Sequence, residues 1–335
     1  MFKRILFFYT INNHSTERTQ IMTSILKHSR FIISLLLILL FVGCSSFRTF
    51  YYKKAINFER SRADLTLEKV SISEGEIVYL RNNPSDQAET ILMVHGFGAD
   101  KDNWILLARS FYQTYQLIIP DLPGHGESFK SMTANYSINN QVRRLHEFLN
   151  KLGLSTVHIM GHSMGGSIVS QFTSQYPQIV KSLVLVCSGG GHGTKSEFDI
   201  LREQKGENPL IVNTYEDFKE IIHWAMEKPP YIPGPVLKVM AKQKIARAEI
   251  DNKIFQEVHI DESLTPVMSA IQAPTLIIWG QKDRLIHVDR GAVIQKAIPN
   301  SKFVVLKDIG HSPILEAPKK TSELIIDFYQ TNKSL

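Results

Sequence analysis

Residues 156–172 read TVHIMGHSMGGSIVSQF, a β-branched run and then an apolar helical pattern, with Ser163 between them among Gly161, Gly165 and Gly166. A serine flanked by glycines two positions to either side turns up by composition in about one chain in ten of this length, so the pattern alone decides nothing. Its placement does. A strand ends before Ser163 and a helix starts after it, which puts the serine at the apex of a strand–turn–helix elbow. A turn that sharp forces a strained backbone at the serine and lifts its hydroxyl clear of the sheet. Gly161 and Gly165 are required because strand and helix approach too closely there for a β-carbon. The helix from Met164 turns its positive dipole end toward an oxyanion forming beside that hydroxyl. The chemistry that fits is acyl transfer from an activated serine.

A serine hydroxyl is a poor nucleophile without a base, and the base needs an orienting acid. His311, in KDIGHSPILEAP, follows the last strand-like run and is the candidate base; His95, His125 and His162 each lie inside a backbone-shaping motif. Asp283, in LIIWGQKDRLI, lies just past the preceding strand and is the candidate acid. The run ending CSGG offers no carboxylate, and Asp308 is too near His311 in sequence to come from a separate strand loop. Two preorganised N–H donors must face the oxygen of a tetrahedral intermediate. Met164 supplies one, and Phe97 in VHGFGAD the other, where Gly96 and Gly98 let the backbone come close and His95 braces the loop. In DLPGHGES, Asp121 reads as a turn-shaping residue. No metal is expected among these groups.

Such a cluster needs a rigid frame, and the periodicity from about residue 65 supplies one. LTLEKVSIS and EIVYL read as an antiparallel pair turning at Glu74-Gly75. TILMVHG, QLIIPDLPG, TVHIMG, SLVLVCSGG, PTLIIWG and KFVVLKDIG follow, apolar enough for strands buried on both faces of a mostly parallel sheet. Helical patterns lie between them, including NWILLARSFYQ, SINNQVRRLHEFLNKLG and PKKTSELIIDFYQTN. The expected class is α/β, with the site at the carboxyl ends of the strands. Residues 191–272 break the rhythm: they show helical patterns, bulky groups such as Phe198, Phe218, Trp224, Tyr231 and Phe255, and the stiff stretch KPPYIPGP, but no buried strand. They are expected to form an inserted helical cap between core segments 65–190 and 273–335, with its apolar groups supplying an acyl pocket.

With 335 residues, 43% hydrophobic, the chain can bury one large core and a cap. Its net charge of +6 is concentrated at the start, where residues 1–43 hold five basic groups against Glu17; the remaining +2 forms no basic block, which argues against nucleic acid as a partner. Lys27 and Arg30 precede FIISLLLILLFVG, thirteen residues ending at Cys44, too short to span a membrane and proportioned like a signal peptide. FVGCSS is similar to a bacterial lipoprotein signal, implying cleavage before Cys44, lipid attachment there, and export to the cell envelope (the outer membrane in a Gram-negative cell). Met22 is the alternative start. Residues 44–64 are then a tether or N-terminal helix. Cys187 is left without a partner, so no intramolecular disulfide is expected, and it reads as a small buried hydrophobe.

Taken together, HGFG, DLPGHGES, GHSMGG, WGQKD and GHSP resemble the α/β-hydrolase superfamily from about residue 65 to the end. Within it, NPLIVNTYEDF and KPPYIP, with the lipoprotein-like leader, resemble the cold-active bacterial lipases of lipolytic family V. That resemblance implies hydrolysis of acylglycerols and simple carboxylic esters without a cofactor. One departure is His162, where those lipases carry asparagine. Competing readings are a carbon–carbon bond hydrolase with a similar triad, whose carboxylated substrate calls for polar or cationic cap residues, and a non-catalytic envelope lipoprotein using the fold as a binding module. An aspartate nucleophile, as dehalogenases and epoxide hydrolases need, is absent from the elbow.

Overall fold

The strands form where apolar side chains run consecutively and can be buried on both faces. The structure is a computed structural model that describes residues 27, 28, 45–85, 87–191, 193–206, 208–258 and 264–332. The chain divides into two units, residues 1–54 and 55–335. Helix α1 (Ser45–Ser61) begins in the first. The expected signal segment, residues 27 and 28 apart, and Cys44 lie outside the described residues.

In the second unit, eight strands build one sheet: β1 (Thr66–Ile72), β2 (Gly75–Arg81), β3 (Thr90–Val94), β4 (Gln116–Pro120), β5 (Val157–His162), β6 (Val180–Val186), β7 (Thr275–Gly280) and β8 (Ser301–Leu306). Their spatial order is β1-β2-β4-β3-β5-β6-β7-β8. β1 pairs antiparallel with β2, Ile72 opposite Gly75 across the turn, and β2 pairs antiparallel with β4; every later pairing is parallel. β3, β5 and β7 are buried along their whole length, as continuous apolar runs in a two-sided parallel sheet must be, while β8 at the edge is only half covered. This is the α/β-hydrolase fold, with the carboxyl ends of β3, β5, β6, β7 and β8 side by side along one edge.

NWILLARSFYQ is less regular than its spacing predicts. A 3₁₀ turn at Lys101–Trp104 leads into α2 (Ile105–Ala108), a single α-turn, and the chain then breaks into turns. Asn82 holds the turns that follow, donating to the backbone carbonyls of Tyr112 and Tyr115 at 2.7 and 2.9 Å. The other helices on the sheet, α3 (Ile138–Lys151) and α4 (Met164–Gln175), follow their sequence patterns.

Among the described residues of 191–272 there are five helices and no strand: α5 (Glu197–Lys205), α6 (Tyr215–Ala225), α7 (Gly234–Ile245), α8 (Ala248–Glu257) and α9 (Leu264–Ser269). Ser196 with Asp199, and Thr214 with Asp217, form reciprocal capping boxes that start α5 and α6. Phe218, Val212 and Ala241 centre a small core of the cap's own, packed by Tyr215, Ile222, Leu237 and Met240. Part of the cap's apolar bulk therefore packs on itself, while Ile250, Ile254, Val258 and Met268 join the main core and Tyr231 is exposed. A cavity of about 760 Å³, lined by residues that include Pro209, Ile211, Glu220 and Asn252, opens in the cap; none of its lining residues is a candidate site residue. α10 (Asp289–Ala297), α11 (Pro313–Glu316) and α12 (Pro318–Asn332) complete the second half of the core.

Candidate active site

β5 runs into α4 with no intervening loop, and Ser163 takes the whole reversal at φ +54°, ψ −122°. A non-glycine residue there carries roughly 1–3 kcal/mol of strain, which the surrounding packing must over-determine. It does: the Ser163 N–H donates to Val186 at 3.0 Å, and its carbonyl accepts from Gly166 at 2.8 Å and Gly189 at 2.9 Å. A β-carbon on Gly161 would stand 2.5 Å from Val169 Cγ2, and one on Gly165 2.5 Å from the His95 carbonyl. The elbow therefore closes only around glycine. A β-carbon on Gly96 would lie 3.0 Å from that of Ser163, so the β3 loop passes directly beside the serine.

Asp283 and His311 sit beyond neighbouring strands, β7 and β8. His311 Nδ1 and Asp283 Oδ2 are 2.7 Å apart, with both side chains buried. The other carboxylate oxygen, Oδ1, accepts from the N–H groups of Leu285 and Ile286, each at 2.9 Å. Because the carboxylate accepts, Nδ1 carries a proton, and in the neutral tautomer of that ring Nε2 is the nitrogen that can accept. Asp308, the other acid near His311 in sequence, is half-exposed and lies 3.4 Å from Lys282.

β8 is three strands from β5, about 14 Å at the usual spacing, so the His311 loop must fold back across β6 and β7. Gly280, the last residue of β7, lets it cross: a β-carbon there would collide with the Gly310 carbonyl and stand 2.5 Å from that of Ile309. The loop ends against the elbow. His162 Nε2 donates to the His311 carbonyl at 2.8 Å, and the two rings lie 4.9 Å apart. The Ser163 hydroxyl is hydrogen-bonded to none of the described residues, so nucleophile and base are joined through this backbone link one residue away. Burial, and then the neighbouring His311, hold His162 at a pKa of about 3, leaving it a neutral donor.

The oxyanion candidates meet at the same place. His95 Nδ1 donates to the Gly96 carbonyl at 2.8 Å, while its Nε2 accepts from the Leu122 N–H at 3.0 Å. Gly96 C=O and Phe97 N–H belong to one trans peptide and point opposite ways. Holding the carbonyl toward His95 therefore turns the Phe97 N–H away from it. Neither the Phe97 nor the Met164 N–H is bonded to another described residue. Asp121 accepts from Lys101 N and Nζ and from Glu127 N, at 2.7–2.8 Å, and shapes the neighbouring turn. His125 is buried 5.1 Å from His95.

Two further residues support the site: Glu316, which no motif singled out, and Cys187, which the sequence offers only as a small buried hydrophobe. Glu316 accepts from the N–H groups of Gly310 and Ser312, each at 3.1 Å, and of Glu227 and Lys228, at 2.8 and 2.9 Å. It thus ties both sides of His311 to the cap. Cys187, at φ +44°, has its Sγ within 4.8 Å of an Asp283 oxygen and a His311 nitrogen. Burial, and then the Asp283 charge, push its thiol well above the usual range, so it faces the carboxylate as a neutral group. The clue in the sequence was position: Cys187 follows β6, the other place where an acid was sought.

Residues 89–228 and 234–318 match the model of the family described as alpha/beta hydrolase fold. The chain belongs to that family. Among relatives of this α/β-hydrolase, Lipase 1 of Psychrobacter immobilis is 37% identical over 274 residues, covering 81% of this chain and 86% of its own length. Human monoacylglycerol lipase ABHD6 is 34% identical over 251 residues, covering 71% and 74%. A solved structure of a membrane phospholipase A, described as a bacterial virulence factor, superposes with a TM-score of 0.83 at 30% identity, over 92% of this chain and all of that one.

Proposed function

We propose that this α/β-hydrolase cleaves acylglycerols and simple carboxylic esters through an acyl-enzyme intermediate on Ser163. The lipase/esterase class rests on the lipase and monoacylglycerol lipase relatives, each sharing more than a third of its aligned residues with this chain. The geometry supports the following mechanism. His311 Nε2 takes the Ser163 proton as Oγ attacks the ester carbonyl. The resulting oxyanion accepts from the N–H groups of Phe97 and Met164. As the tetrahedral intermediate collapses, the proton passes to the departing alkoxide and an acyl-serine remains. Water, deprotonated by the same imidazole, then releases the carboxylic acid and restores the hydroxyl. Asp283 keeps the proton on Nδ1 throughout and stabilises the transient imidazolium.

The single observation that carries this reading is the buried Asp283–His311 pair, delivered by a folded-back loop to the residue beside a strained serine. A carbon–carbon bond hydrolase would want a free cap cation for its carboxylated substrate. Among the described residues, the cap cations Lys244 and Arg247 reach the loops after β3 and β4, and both are engaged by Asp251. The decisive experiment is turnover of p-nitrophenyl esters by the full chain in detergent. Ser163→Ala is expected to lower kcat by at least about 10⁴-fold. An unchanged rate in that variant would sink the assignment. A series from acetate to long-chain triglyceride emulsion then separates esterase from lipase.

The reading extends to location. The leader and Cys44 support an exported, lipid-anchored protein of the cell envelope, and no helix among the described residues is long and apolar enough to cross a membrane.

A further inference from the structure

The cap reaches the loop after β3 through a buried cluster of charge. Lys244, near the end of α7, donates from Nζ to the Gly98 carbonyl at 2.9 Å and to Asp251 Oδ2 at 2.8 Å. Arg247 donates from Nη2 to the Gly124 carbonyl and to Asp251 Oδ1, both at 2.8 Å. The Asp251 side chain is 1% exposed. Lys244 Nζ also sits 5.5 Å over the ring of Phe97, whose edge packs on Phe255 of α8 at 5.5 Å.

Burying three charges is expensive, and such clusters often stabilise no better than apolar packing. What this one does is specific: Asp251 aims two cations at main-chain carbonyls of the loops after β3 and β4. The Gly98 carbonyl matters most. Its peptide carries the Ala99 N–H, which donates to the Gly96 carbonyl at 3.3 Å and closes the turn. The Gly96 carbonyl in turn shares its peptide with the Phe97 N–H. Lys244 therefore grips one end of a single turn, and the oxyanion donor lies at the other. His95 holds that turn from the core side and Lys244 from the cap side.

We propose that Lys244, oriented by Asp251, is a positioning residue for the oxyanion hole, so that docking of the cap and alignment of the Phe97 N–H are one event. The proposal rests on the ester-hydrolase reading above. It makes the cap part of the catalytic machinery as well as a cover. Arg247 pins the adjacent Gly124 loop in the same way.

The test uses the full chain in detergent, with p-nitrophenyl butyrate as substrate and an alkyl trifluoromethyl ketone as inhibitor. Addition of Ser163 Oγ to that ketone forms a hemiketal whose oxygen must occupy the oxyanion hole. Lys244→Met keeps the aliphatic stem, removes the donor and leaves the Arg247–Asp251 pair intact; Lys244→Gln is the second variant, and Lys242→Met, an exposed lysine on the same helix, is the control. Both Lys244 variants are expected to lose about 10-fold in kcat, short of the 10²–10³ typical of losing a donor outright. KM should stay within twofold, and the ketone Ki should rise by the same factor as kcat falls, while Lys242→Met matches wild type. A kcat and Ki within twofold of wild type, or a fall in kcat without a rise in Ki, would overturn the proposal. So would loss of folding in both Lys244 variants, since the cluster would then serve stability. A wild-type chain indifferent to the ketone would instead count against the ester-hydrolase reading itself.

Discussion

Three imidazoles, those of His95, His125 and His162, are buried around the nucleophile and held neutral. Burial drops His95 to a pKa of about 4 against the pull of Asp121, drops His162 to about 3 with help from His311, and pushes His125 well below its usual value. Neutrality is what their work requires, because His95 must both donate to Gly96 and accept from Leu122. In the sequence the three stand apart from His311 by position: each lies at an earlier turn, whereas His311 follows the last strand. What sequence does not carry is the bond from His162 to the His311 carbonyl, which spans 149 positions. The buried histidines also make stability depend on pH. Their folded values lie below the unfolded one near 6.5, so the unfolded chain takes up protons first as pH falls. Stability is full above about pH 6.5 and declines toward pH 4 and 3. Between pH 7 and 5 the expected loss is about 2 kcal/mol for each of His95 and His162. Urea unfolding at the two pH values measures it. His162→Asn should shrink the loss by one histidine's share; an unchanged pH dependence in that variant would mean that His162 is not held neutral.

At the scale of elements, the hardest placement is the His311 loop, which must travel across the end of the sheet. Its path depends on Gly280 beneath it and Glu316 behind it. The strands were legible because a buried parallel strand writes a continuous apolar run, and so was the elbow, because only glycine fits so tight a junction. Glu316 was not. A carboxylate five residues after a histidine looks the same in sequence whether it faces water or gathers four backbone N–H groups. Lys244, Arg247 and Asp251 were hidden for a related reason: charges spaced three, four and seven apart on helices read as a solvated face until the cap is docked. Glu316→Gln tests the loop. The amide keeps one accepting oxygen but turns an NH₂ either toward the N–H groups of Gly310 and Ser312, which Oε1 serves, or toward those of Glu227 and Lys228, which Oε2 serves. Kinetics on a soluble ester should show a fall in kcat of about 10-fold with KM little changed, and urea unfolding a loss of about 1–3 kcal/mol. A variant that loses stability but keeps kcat would reduce Glu316 to a structural tie.

For the whole molecule, the net charge of +6 is misleading until its location is considered, because most of it lies before Cys44. The chain after Cys44 is close to neutral, and the basic groups at the start precede an apolar run of thirteen residues. Next after Cys44 comes α1, which exposes Phe50 and Tyr51 at 57% and 46% and carries Lys53 and Lys54 beside them. Aromatic rings with adjacent lysines suit the interface between lipid headgroups and water. Attachment to a membrane would then have two parts, a covalent lipid on Cys44 and the weaker hold of these rings. In cells expressing the full chain, Cys44→Ala is expected to move the protein from the detergent to the aqueous phase on Triton X-114 partitioning. Wild-type protein should show a mass increment on its first peptide that the variant lacks. Phe50→Ser with Tyr51→Ser in the Cys44→Ala chain should weaken its residual binding to anionic vesicles several-fold, with ester turnover in detergent unchanged, because neither ring belongs to the site. Equal partitioning of wild type and Cys44→Ala would show that the protein is held, if at all, by something other than a lipid on that cysteine.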